Sequence, residues 1–239
     1  MTSFLKFVIA ACASIILTQC GYVTNNVNGK GKVIKQEYAL ENFTSIDLQN
    51  GWEVELIPAE ENKMLITANA NLLEELKYDF EENTLRIAAE RNIGNADKKL
   101  IQIFYSQALQ QLSASSGVYL YSTSALEHEH IETVFSSGCK VELSIQSDSF
   151  ELKASSGANV ILNGISETIN YSVSSGAGVN ALELIGQKVK ASASSGASLK
   201  LGVEGDLNAK SSSGAVIRYQ GQADAIVSST SSGGSVKKM

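Results

Sequence analysis

Seven Ser-Ser-Gly triplets run down the second half of this chain, each placing a hydroxyl beside a conformationally free residue. A serine in a tight turn has the shape of a nucleophile, but it attacks only when a base stands within hydrogen-bond reach. The two histidines, His128 and His130, both fall in Glu127-His128-Glu129-His130, and no triplet matches Gly-x-Ser-x-Gly. Nucleophilic catalysis is therefore not expected. The same histidines are the weak candidates for a metal pair, since residues two apart on a strand share a side and imidazole suits zinc or copper. The competing reading is a solvated loop at the corner of a long repeat, and no metal or cofactor is expected.

The triplets end at Gly117, Gly138, Gly157, Gly176, Gly196, Gly214 and Gly233, spacings of 18 to 21 residues that mark a structural repeat. Three residues beyond each glycine stand Leu120, Val141, Val160, Val179, Leu199, Ile217 and Val236, all aliphatic. Directly after the glycine come Val118, Cys139, Ala158, Ala177, Ala197, Ala215 and Gly234, all small. Polar residues such as Glu142, Asn180, Lys200 and Arg218 alternate with them. Period-two alternation makes strands with one buried face. A strand, a glycine corner and another strand in constant phase form one coil of a solenoid. The fold expected is all-β: a single-stranded right-handed parallel β-helix with coils of about 19 residues and Ser-Ser-Gly corners. Asn163-Gly164, Ile185-Gly186, Glu204-Gly205 and Gln220-Gly221 mark a looser far corner.

By this parity the second serines, Ser116, Ser137, Ser156, Ser175, Ser195, Ser213 and Ser232, belong to the buried set. They are expected to form an inward ladder of hydroxyls bonding the backbone at the bend, with the glycines taking positive φ. Some solenoids are polysaccharide lyases or hydrolases that use clustered carboxylates. Here the aspartates after residue 20, Asp47, Asp79, Asp97, Asp148, Asp206 and Asp224, are scattered. No pair of these aspartates recurs at one position of adjacent coils, so no enzyme is expected. Tyr119 and Tyr121 flank inward Leu120 and form an outward aromatic pair, a possible ligand contact; Cys139 reads as an inert buried thiol.

The elements around these residues fall into three segments. Residues 1–19 carry Lys6 and the apolar run Phe7–Leu17, too short to span a bilayer, and read as a signal peptide. Leu17-Thr18-Gln19-Cys20 is similar to a lipobox, although Gln19 stands where a small residue is usual; lipidation at Cys20 would anchor the chain. Residues 20–32 read as a flexible tether. Residues 33–239 form the β-helix domain, with irregular first coils over 33–112, including a corner-like Asn50-Gly51, and regular coils over 113–239. A net charge of −6 with no basic run argues against nucleic acid.

With its lipobox, tether, NFTSIDLQNGWEVELIP segment and Ser-Ser-Gly coils, the chain resembles the putative auto-transporter adhesin, head GIN domain family, over roughly residues 33–236. The resemblance implies a right-handed β-helix of an exported bacterial protein, an adhesion role and no catalytic residues. The leading reading is thus a non-catalytic envelope lipoprotein that binds glycan or protein through its outer faces. It would be lipid-anchored in the bacterial envelope, at the outer membrane on the cell-surface or periplasmic side. A structural spacer or assembly subunit, joined as a homo-oligomer through the C-terminal coil, is the alternative. A carbohydrate-active enzyme is the third.

Overall fold

The computed structural model describes residues 26–239; the expected signal peptide and Cys20 lie outside the described residues. Strands make up 66% of the structure and helix 3%, arranged as a β-solenoid of about seven turns with parallel bridges about 19 residues apart. In chain order the elements are β1 (Val33–Ala39), β2 (Ser45–Leu48), β3 (Glu53–Pro58), β4 (Lys63–Asn69), α1 (Ala70–Glu75), β5 (Leu76–Glu81), β6 (Thr84–Ala89), β7 (Lys99–Tyr105) and β8 (Gln111–Ala114). The long strands β9 (Tyr119–Phe135), β10 (Lys140–Ala154), β11 (Asn159–Val173), β12 (Gly178–Ala193) and β13 (Ser198–Ser211) follow, then β14 (Val216–Gln220), β15 (Ala225–Thr230) and β16 (Ser235–Lys238).

Strands β9 to β13 pair in parallel, each bending over the far corner. Stacking brings equivalent residues into register about 4.8 Å apart. Leu120, Val141, Val160, Val179, Leu199 and Ile217 form one buried column and Ile131, Phe150, Ile169, Val189 and Leu207 another. Between the corner and the first aliphatic column run Val118, Cys139, Ala158, Ala177, Ala197 and Ala215, all fully buried. The backbone turns sharply there, which leaves room only for small side chains.

The corner serines depart from expectation. Ser137, Ser156, Ser175, Ser195, Ser213 and Ser232 are exposed and Ser116 is half-buried. Each holds φ between +48° and +54°, and the glycine after it is also left-handed. Together with the bond from Ala177 N–H to Ser174 O, 3.0 Å, and its equivalents, this is a type I′ turn. Two left-handed residues break the alternation, so the second serine projects outward. The bend needs no inward hydroxyl either. Gly157 N–H donates to Ser175 O at 3.2 Å, Gly176 N–H to Ser195 O at 3.1 Å, and the pattern repeats from coil to coil.

The N-terminal region inverts the expected order. Strands β2 and β3, joined by left-handed Asn50 and Gly51, lie between the coil of β8 and β9 and a second coil made by β6 and β7. The coil at that end of the stack is therefore the later one in sequence. Outside it, β5 pairs antiparallel with β6 and β4 with β7, and β1 adds to β4. Glu82 and Asn83, both at positive φ, make the β5–β6 hairpin turn. The single helical turn α1 buries Leu72 and Glu75 over the core, where Arg91 Nε donates to Glu75 Oε2 at 3.2 Å.

Residues 26–32, expected to be flexible tether, are instead bound to this cap. Val27 bridges Ile93, Gly29 N–H donates to Asn95 O at 2.8 Å, and Asn71 Nδ2 donates to Asn28 O at 2.9 Å. Their Gly and Asn content serves close packing and side-chain hydrogen bonds. At the opposite end β15 and β16 each pair on one side only among the described residues, and every residue of β15 is exposed.

Candidate functional site

Strand β9 leaves its corner with Tyr119 and Tyr121 on the outward side, two residues apart. Register fixes their neighbours. Glu53 of β3, Tyr119 and Lys140 of β10 form one outward column; Glu55, Tyr121 and Glu142 form the next. The two rings lie 5.1 Å apart with 33° between their planes, and this mutual packing leaves each half-buried rather than fully exposed. Lys140 Nζ sits 4.4 Å from the centre of the Tyr119 ring and 2.7 Å from Glu142 Oε1. Tyr119 donates its hydroxyl to the same carboxylate at 3.2 Å. On the far side of the patch Gln102 Nε2 donates to Glu55 Oε2 at 2.7 Å.

The charges act on one another. The hydrogen bond from Lys140 holds the Glu142 carboxyl below the usual carboxylate range and raises the lysine in return. Partial burial, then the carboxylates of Glu55 and Glu53, push the Tyr121 hydroxyl up to about 12. Burial and Glu142 raise Tyr119 as well. Both phenols therefore stay neutral at physiological pH, as an aromatic surface edged by hydrogen-bonding carboxylates, an amide and an ammonium group. Such a surface can hold a ligand by ring stacking and polar contacts.

The structure does not bring the other candidates into a reactive arrangement. His128 and His130 lie within β9, not in a loop. His130 N–H donates to His128 Nδ1 at 3.0 Å, while His130 Nε2 pairs with Glu132 Oε1 at 3.0 Å. Among the described residues no three His, Cys, Asp or Glu side chains converge as metal ligands. Cys139 is fully buried and its thiol is pushed up to about 11 by that burial. Among the described residues no corner serine hydroxyl is hydrogen-bonded to a histidine; Ser137 Oγ meets Ser136 Oγ at 3.5 Å.

The aspartates stay scattered, but glutamates do share columns. Glu132 and Glu151 are direct partners in register. Glu129, Asp148 and Glu167 also share one exposed column beside a cavity of about 440 Å³ lined by His128, Ser147 and Ser166. The signal lay in the sequence: each of these three stands nine residues before a corner glycine, at Gly138, Gly157 and Gly176. Likewise Glu53 and Tyr119 stand two residues, and Glu55 and Tyr121 four, beyond the glycines of their corners, Gly51 and Gly117. Counting both ways from the corners places the whole patch.

The family described as putative auto-transporter adhesin, head GIN domain, matches residues 42–223. The chain belongs to this family. The GIN domain fold recurs in crystal structures. A putative adhesin from Bacteroides fragilis NCTC 9343 superposes with a TM-score of 0.82 at 15% identity, covering 90% of this chain and 100% of the other. A putative adhesin from Parabacteroides merdae ATCC 43184 gives 0.73 at 18% identity, covering 90% and 99%. A putative lipid binding protein from Parabacteroides distasonis ATCC 8503 gives 0.74 at 16% identity, covering 90% and 100%. At such identities the likeness concerns the fold. No curated protein matches the chain.

Proposed function

We propose that this GIN domain is a non-catalytic binding module of an exported envelope lipoprotein, and that the face carrying Tyr119 and Tyr121 contacts a glycan or protein partner. Membership of an adhesin-like family agrees with an external partner and a cell-surface place. The observation that carries the reading is the tyrosine pair itself, stacked at 5.1 Å and ringed by Glu53, Glu55, Lys140 and Glu142 on a flat stack of parallel strands. Aromatic side chains with a polar edge are the common anchors of binding surfaces. The exposed carboxylate columns lack the burial that tunes a catalytic acid, which supports a binding role over catalysis.

The test is a glycan and envelope-protein array probed with the full chain in detergent, beside a Tyr119→Ala/Tyr121→Ala variant of unchanged circular dichroism. Binding lost in the variant supports the reading; binding retained removes this face from it. For the anchor, radiolabelled palmitate incorporation that disappears with Cys20→Ser supports lipidation, and proteinase shaving of whole cells reports the side of the outer membrane. A second reading, self-assembly, is favoured by the one-sided pairing of β15 and β16, an open edge available to another copy. Sedimentation of the full chain at rising concentration decides it.

A further inference from the structure

The two columns of the tyrosine patch differ in one respect. Tyr119 has Glu53 on one side and Lys140 on the other, so its ring already carries an ammonium group that a carboxylate holds in place. Tyr121 has a carboxylate on both sides, Glu55 and Glu142; Glu142 already accepts from Lys140 and Tyr119, so Glu55 is the one without a cation. Neither Glu53 nor Glu55 forms an ion pair among the described residues. Lys99, the other ammonium group close to Glu53, donates to Gly94 O at 3.2 Å. Three carboxylates thus face two ammonium groups, and the shortfall lies around Tyr121. A ring between two carboxylates attracts a cation through both its quadrupole and the flanking charge.

We infer that Tyr121, Glu55 and Glu142 form a subsite for a protonated amine borne by an amino sugar. The inference rests on the proposal that this face is the contact surface. Lys140 on Tyr119 is the internal precedent: the same chain builds an ammonium–ring–carboxylate arrangement one column away. A sugar fits better than a lysine side chain because the face is flat and carries polar groups beyond the ring. Gln102 and Asn159 flank the tyrosine columns in register, placed to meet hydroxyls while the ring covers the apolar side of the pyranose. Attraction by exposed charges falls with salt.

The experiment is calorimetric titration of the full chain with a glucosamine hexamer and with its N-acetylated counterpart, which has the same backbone without the charge. The glucosamine hexamer is expected to bind at least about fivefold more tightly, a preference that shrinks at high salt. Tyr121→Ala and Glu55→Gln should each weaken it about fivefold, and Tyr121→Phe should retain it, because the ring and not the hydroxyl carries the contact. Equal affinity for both hexamers overturns the amine subsite and leaves the contact surface standing. Binding that survives both Tyr121→Ala and Glu55→Gln overturns it by placing the amine elsewhere. Binding of an oligolysine peptide but of neither hexamer overturns the sugar. If neither hexamer nor peptide binds, the subsite is refuted, and the contact surface falls with it only if the array is blank as well.

Discussion

Two glycines in one coil test the corner chemistry against each other. Gly176 ends a Ser-Ser-Gly corner at φ +71°, and a Cβ built there meets nothing within 4 Å. Gly176→Ala therefore costs only the left-handed conformation, about 1–2 kcal/mol, offset by roughly 0.4–1 kcal/mol from the less flexible unfolded chain. A net loss of about 1 kcal/mol follows. Gly164, at the far corner, holds φ +117°, outside the left-handed helical region, and a Cβ there would lie 2.0 Å from Ile145 O in the preceding coil. That contact is with backbone, so Gly164→Ala must push adjacent coils apart. Backbone strain of about 1–3 kcal/mol and one or two displaced ladder hydrogen bonds at about 1 kcal/mol each give roughly 2–5 kcal/mol. With a urea slope of about 2–3 kcal/mol per molar, the midpoint falls by about 0.4 M for Gly176→Ala and by about 0.8–2 M for Gly164→Ala. Far-UV circular dichroism and fluorescence of buried Trp52 read the same transition if unfolding is cooperative. Equal shifts for the two variants, or the reverse order, would refute the argument that inter-coil contact governs the far corner.

Other tests address the cap and the core. Because Arg91 holds the Glu75 carboxyl below its ordinary range, the pair contributes stability above the unfolded carboxylate pKa and loses it as pH falls through the lowered folded value; Arg91→Ala should flatten the acid limb of a stability–pH profile. Cys139, with its thiol pushed up to about 11, should resist a thiol reagent at pH 8 in the folded protein and react once urea opens the coils, and equal reactivity in both states would contradict its burial. The Tyr171 hydroxyl is buried without a protein partner among the described residues, so Tyr171→Phe should raise stability by about 1 kcal/mol in urea titrations.

Most of the solenoid is legible because its inward columns repeat in phase: a coil is fixed by where Val160 or Ile169 falls relative to the corner glycine. The misreading of Ser175 and its equivalents came from carrying extended-strand parity through a bend. Two successive left-handed residues shift the phase, and composition alone does not mark a serine as left-handed. The inverted order of the first coils was hidden for another reason. Strands as short as β2 and β6 carry too few alternating residues to fix their neighbours, and only pairing across the stack decides that the 84–105 coil lies outside the 45–58 coil. Glu53 and Glu55 were legible, since Asn50-Gly51 supplies the same phase as the later corners.

That phase separates fold from function in this architecture. Inward positions are constrained by the columns above and below, and a change at Val160 is felt by Val141 and Val179. Outward positions at the same coil carry no such constraint: two residues beyond successive corners stand Glu53, Tyr119, Lys140, Asn159 and Gly178, five residues with nothing in common. The fold can therefore be kept over 90% of this chain at 15% identity. On the proposed contact face, ligand choice should then follow the residues two and four places beyond each corner. Transplanting Glu55, Tyr121 and Glu142 to the equivalent places of a homologous solenoid should transfer amine preference without altering its melting, whereas exchanging inward residues should alter melting alone.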